Sequence, residues 1–166
     1  MGHGSPSQIF WEGSGCTYGR KPGSFRAESY GLLAALRFLL HYITFWKVVQ
    51  LSPALVHNEY TESKSLLQRL QSSKARFFDS PKACMASDFD LEIAIQNTLT
   101  ALPIAIELHH VRSHQDRKQP RIHLLSWEAQ LNIICDRLAG RQLETCELNP
   151  LVHPNPSCTA YVTAAN

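Results

Sequence analysis

Four segments of this chain set an acidic residue or a histidine against an apolar run, in a fixed order. They are SFRAESYGLLAAL (24–36), YTESKSLLQRL (60–70), HHVRSHQD (109–116) and LNIICDRLAG (131–140). Polar groups placed beside apolar faces on four separate elements restrict the fold. The elements must pack so that Glu28, Glu62, His114 and Asp136 are not stranded in a core, because a buried charge needs a partner. The apolar spacing around them changes from helix-like to strand-like and back, which points to an α/β chain.

Residues 1–23 are rich in Gly, Ser and Pro and hold one short apolar island at 9–11, enough for one edge strand. Ser24 is placed to cap a helix over 26–42, with Leu32, Leu36, Leu39 and Leu40 as its stripe and Ala35 at a close approach. Glu28 lies one turn before Leu32 on that side. After Pro53, residues 54–60 suit a strand at Ala54, Leu55 and Val56, but less so at His57, Asn58 and Glu59. Leu66, Leu67 and Leu70 predict a second helix over 63–70. Residues 71–85 read as a loop. Ser87 or Asp88 then caps a helix through Ala101, with Leu91, Ile95 and Leu99 inward. Pro103 ends it. Ile104, Ile106, Leu108 and Val111 make a strand, 115–123 a charged loop, and 126–140 a last helix with Trp127, Leu131, Ile134 and Leu138 inward. The proline-bearing tail, 141–166, is expected to be irregular.

Composition narrows the function classes. The apolar share is 44% and the charged share 18% in 166 residues, which suits one globular domain. Net charge is only +2, so binding to nucleic acid requires a local patch. Five cysteines without a C-x-x-C pair argue against a disulfide framework and a zinc ribbon, and favour a reduced, intracellular setting. His109, His110 and His114 lack the cysteine or H-E-x-x-H context that zinc usually requires. The N-terminus holds no signal-peptide core. Arg37, His41 and Lys47 interrupt the apolar stretch 31–51, so an amphipathic core helix is expected there and no membrane span.

The ordered set of motifs resembles the ribonuclease H family, in the style of retroelement reverse-transcriptase polyproteins. R-A-E-x-x-G-L-L-A-A-L matches the first-helix motif, and N-x-x-C-D-R-L-A is similar to the N-x-x-A-D-x-L-A ending. H-V-R-S-H-Q-D resembles the histidine loop after the last strand, and Y-T-E-S-K-S-L-L the T-D-S segment. The resemblance covers 24–140 and implies a mixed sheet flanked by helices. It implies Mg²⁺-dependent hydrolysis of the RNA strand of an RNA–DNA hybrid, with Glu28, Glu62 and Asp136 as metal ligands. His114 would assist proton transfer or product release, as an imidazole can near neutral pH. Asn132 would support Asp136. Arg20, Lys21, Lys64 and Arg112 would meet phosphates. No small-molecule cofactor is implied.

Taken singly, these residues have plainer roles: Glu28 paired with Arg26, Glu62 capping the helix from Ser63, Asp136 exposed near Arg137, and His114 solvated in its loop. Two departures bear on activity. Glu62 stands where the family has Asp, and one methylene moves a ligand oxygen by about an ångström against a tolerance of about 0.5 Å. Residues 1–23 contain no aspartate, whereas the family's first strand supplies one that touches both metals. An N-terminally truncated copy, impaired in cleavage, is expected. The alternative is an inactive remnant that binds nucleic acid or a protein.

Overall fold

The computed structural model describes residues 14–15, 17, 23–47, 56–73, 87–117, 119 and 121–146. The elements run α1 (Ser24–Trp46), β1 (Val56–Thr61), α2 (Lys64–Ser73), α3 (Phe89–Ala101), β2 (Ala105–His110) and α4 (Trp127–Cys146). Two 3-10 turns, Gln115–Arg117 and Ile122–Leu124, precede α4. The expected edge strand at 9–11 and the distal tail lie outside the described residues, as do most of the 71–85 loop and the start of the 54–60 strand.

Helices and strands alternate, and the two strands run parallel, as an α/β chain requires. Among the described residues the sheet has two strands, in register Val56↔Ala105 through Thr61↔His110. The Val111 amide donates to the Thr61 carbonyl at 3.0 Å and extends the ladder by one bond. The chain divides into two compact units. One comprises Gly19–Val111, and the other joins Met1–Tyr18 to Arg112–Asn166.

In the first unit, Leu32, Leu33, Leu36 and Ile43 of α1 meet Leu66 and Leu70 of α2 and Leu91 and Ile95 of α3. Ile106 and Leu108 of β2 pack against this core. Leu and Ala supply the helix propensity of α1, and its buried residues recur at helical spacing. Ser29 is fully buried, and its hydroxyl donates to the Phe25 carbonyl at 2.7 Å, so burial leaves no orphaned donor.

Several boundaries differ from expectation. Gly23, in extended backbone, caps α1, and Ser24 is its first helical residue. The helix continues past Tyr42 because Ile43 is buried against the core, and within this extension the Thr44 hydroxyl donates to the Leu40 carbonyl. It stops where Lys47 turns left-handed at φ 52°. In β1, Val56 is half-exposed, while the polar residues 57–59 hold the middle of the ladder. Backbone pairing with β2 decides that strand, more than its side chains do. Ser63 caps α2 through its hydroxyl and the Leu66 amide. Asp88 caps α3 with a left-handed backbone, but its carboxylate is engaged elsewhere. Leu102, buried and extended before Pro103, ends α3.

In the second unit, Ser126 caps α4 through the Ala129 amide. The buried pair on α4 is Ala129 and Ile133, one turn apart. Trp127, Leu131, Ile134 and Leu138, expected to face inward, are only half-buried. The helix runs through Gly140 to Cys146, because the residues after that glycine are good helix formers. Ser14 is tied to this unit by a 3.1 Å hydrogen bond from its hydroxyl to Gln142.

Candidate functional site

Parallel strands collect loops at their carboxyl ends, and in open α/β sheets that is where ligands bind. Two candidate residues follow such ends. Glu62 comes directly after Thr61, the last residue of β1, and His114 comes four residues after the last residue of β2. The flanks of Glu62 are fixed. Thr61 and Ser63 are both buried, and the Thr61 hydroxyl accepts from the Ser63 amide at 3.2 Å. Glu62 itself is half-buried. The capping expected of Glu62 is carried by Ser63.

Glu28 sits in the second turn of α1, half-buried, with its Oε2 fully enclosed. Arg26, offered as its partner, reaches toward α3. Its guanidinium donates to Asp88 at 2.7 Å and to Asp90 at 3.0 and 3.2 Å. The Arg26 hydrogen bond holds the Asp90 carboxyl below the usual aspartate range.

In the other unit, His114 Nδ1 lies 3.7 Å from an Asp136 carboxylate oxygen. Twenty-two positions separate them in sequence. His114 adopts a left-handed backbone, φ 50°, which a side chain other than glycine's enters only when its surroundings hold it there. Asp116, next to the turn, accepts from the Arg117 amide, and Gln115 donates to the Arg112 carbonyl. Asp136 and His114 remain open to solvent, at 34% and 53% side-chain exposure, so a ligand can reach the pair. Asn132, one turn before Asp136 on α4, is half-buried. Arg137, offered as the plainer neighbour of Asp136, is exposed.

The candidates are thus divided two and two: Glu28 and Glu62 in one unit, His114 and Asp136 in the other. Among the described residues, no group of three or more His, Cys, Asp or Glu is placed to hold a metal ion. The donor chemistry of three carboxylates suits Mg²⁺, which takes oxygen ligands. Lys64 and Arg112 are exposed, as phosphate contacts must be, and Arg20 and Lys21 lie outside the described residues. No described helix is long and apolar enough to cross a membrane.

Two features were not anticipated. A groove of about 430 Å³ opens between α2, α3 and the start of β2, lined by Leu70, Gln96, Leu99 and Ile106 among others. None of the four candidate residues lines it. On the outward face of the sheet, His109 stacks on Tyr60 with ring centroids 5.3 Å apart and meets Asn58 at 2.9 Å. The period-two spacing of Asn58 and Tyr60, and of Glu107 and His109, was the available signal.

Comparison of the chain with protein-family models, with curated protein sequences and with solved structures finds no match.

Proposed function

We propose that this chain is a ribonuclease H-like domain that engages RNA–DNA hybrids and turns them over slowly. Glu28, Glu62 and Asp136 are its Mg²⁺ ligands in this reading, and His114 handles the proton. The observation that carries it is the approach of His114 to Asp136, two residues that only the family pattern links. The order of elements and the parallel strand pair support it, as does the placing of Glu62 and His114 beyond the strands' carboxyl ends.

Bound Mg²⁺ would supply charge stabilisation for phosphodiester hydrolysis. The protein's own residues do the rest. The Asp136 carboxylate orients the His114 imidazole, whose left-handed backbone projects it from the turn after β2. Lys64 and Arg112 hold phosphates, and 2′-hydroxyls in the wide minor groove distinguish RNA from DNA. Slow turnover follows from Glu62 in the place of an aspartate. That same substitution favours a second reading, binding of hybrid without cleavage.

The test uses the chain as it stands. Fluorescence anisotropy should show hybrid bound more tightly than duplex DNA, with affinity falling steeply as salt rises. Product should accumulate slowly with Mg²⁺, and Asp136→Asn should remove it. Binding without product in either protein selects the second reading. Equal binding of hybrid and duplex DNA, with no product, overturns both.

A further inference from the structure

The outward face of α1 changes character along its length. Its first half shows small residues: Ala27 and Gly31 are exposed, and a Cβ added at Gly31 would meet nothing within 4 Å. Its second half shows rings. Phe38, His41, Tyr42, Phe45 and Trp46 fall at i, i+3, i+4, i+7 and i+8, one continuous stripe of a helix. This stripe lies opposite the buried Leu32, Leu33, Leu36 and Ile43. Tyr42 is 48% exposed, Phe45 76% and Trp46 63%. The rings form a ladder: Phe38 to Tyr42 is 6.1 Å between centroids, Tyr42 to Trp46 6.4 Å, and Phe45 to Trp46 5.0 Å edge to face. Rings are enriched where a surface is to be covered, and this many together in the open call for an occupant.

Charge narrows the occupant. Arg37 and Lys47 flank the stripe, and no Asp or Glu occurs between Glu28 and Glu59. A second copy of the helix laid antiparallel would set Arg37 against Lys47 with no acid to separate them, which is repulsive. A lipid surface would be met by rings and aliphatic side chains together on one broad apolar face, but the aliphatic residues of α1 are turned into the core. What suits a row of open rings between two cations is an anionic chain that carries flat apolar faces at intervals. Single-stranded nucleic acid is such a chain, with bases stacking on the rings and phosphates on the cations.

We infer that the C-terminal half of α1 is a docking surface for single-stranded nucleic acid. It stands apart from Glu28, which lies about 20 Å away along the same helix at about 1.5 Å rise per residue. The inference therefore does not depend on hydrolysis, and the two can fail separately.

The experiment titrates labelled oligo-dT and oligo-U of about 12 nucleotides into the whole chain, beside an RNA–DNA hybrid of the same length. The double variant Phe45→Ser, Trp46→Ser alters only exposed rings, and circular dichroism verifies its fold. It should weaken single-strand binding by about tenfold or more, the size of a lost base stack. A second variant, Arg37→Gln with Lys47→Gln, should flatten the log–log salt dependence by about 1.4, because two phosphates of a single strand are no longer neutralised. Loss of single-strand binding in either folded variant, with hybrid binding kept, supports the surface and leaves the hydrolytic site standing. Single-strand binding lost on substitution in a chain that ignores hybrid supports the surface alone. Wild-type indifference to both oligonucleotides overturns it, as does an unchanged affinity and salt slope in both variants. Capture by vesicles of phosphatidylserine and phosphatidylcholine, without oligonucleotide binding, also overturns it and makes the stripe a lipid contact.

Discussion

Arg69 joins its own helix to two others. Its guanidinium forms an ion pair with Glu92 of α3, donates to the Ser87 carbonyl at 2.8 Å, and lies 4.5 Å from the centre of the Phe25 ring in α1. Glu92 is 7% exposed, so its charge has little water to fall back on. Arg69→Met should therefore lose about 3 kcal/mol in urea unfolding, the usual penalty for stranding one partner of a buried pair. Adding Glu92→Leu should restore most of the loss, since the orphaned charge leaves with it. If the double variant is no better than the single, the loss comes from the Ser87 and Phe25 interactions. A second residue-scale pair titrates. His57 Nε2 meets Glu59 at 3.2 Å, and this hydrogen bond raises the His57 pKa above the ordinary 6.5. The protonated imidazole is the stabilised form, so the pair's contribution is full below pH 6.5 and fades as pH climbs through the raised folded value. His57→Gln should abolish that part of the stability loss between about pH 6 and 8. A variant curve parallel to the wild type over this range would show that the pair is idle.

At the scale of elements, glycine offers a clean measurement. Gly31 in α1 and Gly140 in α4 are exposed, and a Cβ on either meets nothing within 4 Å. Each should gain about 0.5–1 kcal/mol on replacement by alanine, because alanine restricts the unfolded chain and solvates less helical backbone. A loss at either position would mean that its face is covered in solution, which at Gly31 would extend the occupied part of α1. The same elements show what the sequence could reveal. The helices α1, α2 and α3 are legible because Leu and Ile recur at 3.6-residue spacing and face a shared core. The start of β1 is not, since Val56 is the apolar residue expected inside and is 46% exposed. That strand is held by a partner 49 positions later, a distance at which local pattern carries no information. The Arg26–Asp88 clamp spans 62 positions and is invisible for the same reason. His114 and Asp136 can be placed together only because a family pattern links them. The ring stripe of α1 stands in plain view, but hydropathy registers it simply as apolar.

At the scale of the whole molecule, the proposed chemistry rests on carboxylates that hold Mg²⁺. An ion that binds the folded chain alone stabilises it by mass action. Three carboxylates, one of them a glutamate in an aspartate's place, should hold Mg²⁺ with about millimolar affinity, since this ion keeps much of its water. At about ten times that concentration the gain is about 1.4 kcal/mol. Differential scanning fluorimetry should show the corresponding rise in melting temperature for the wild type. Glu28→Gln and Asp136→Asn should each remove it. Loss of the shift in both variants is the result that the ligand assignment requires. Retention in one of them would remove that residue from the ligands. Retention in both would place magnesium elsewhere, and no shift in the wild type would remove the metal, and with it hydrolysis, from the proposed function. Binding of hybrid would then be all that remains of it.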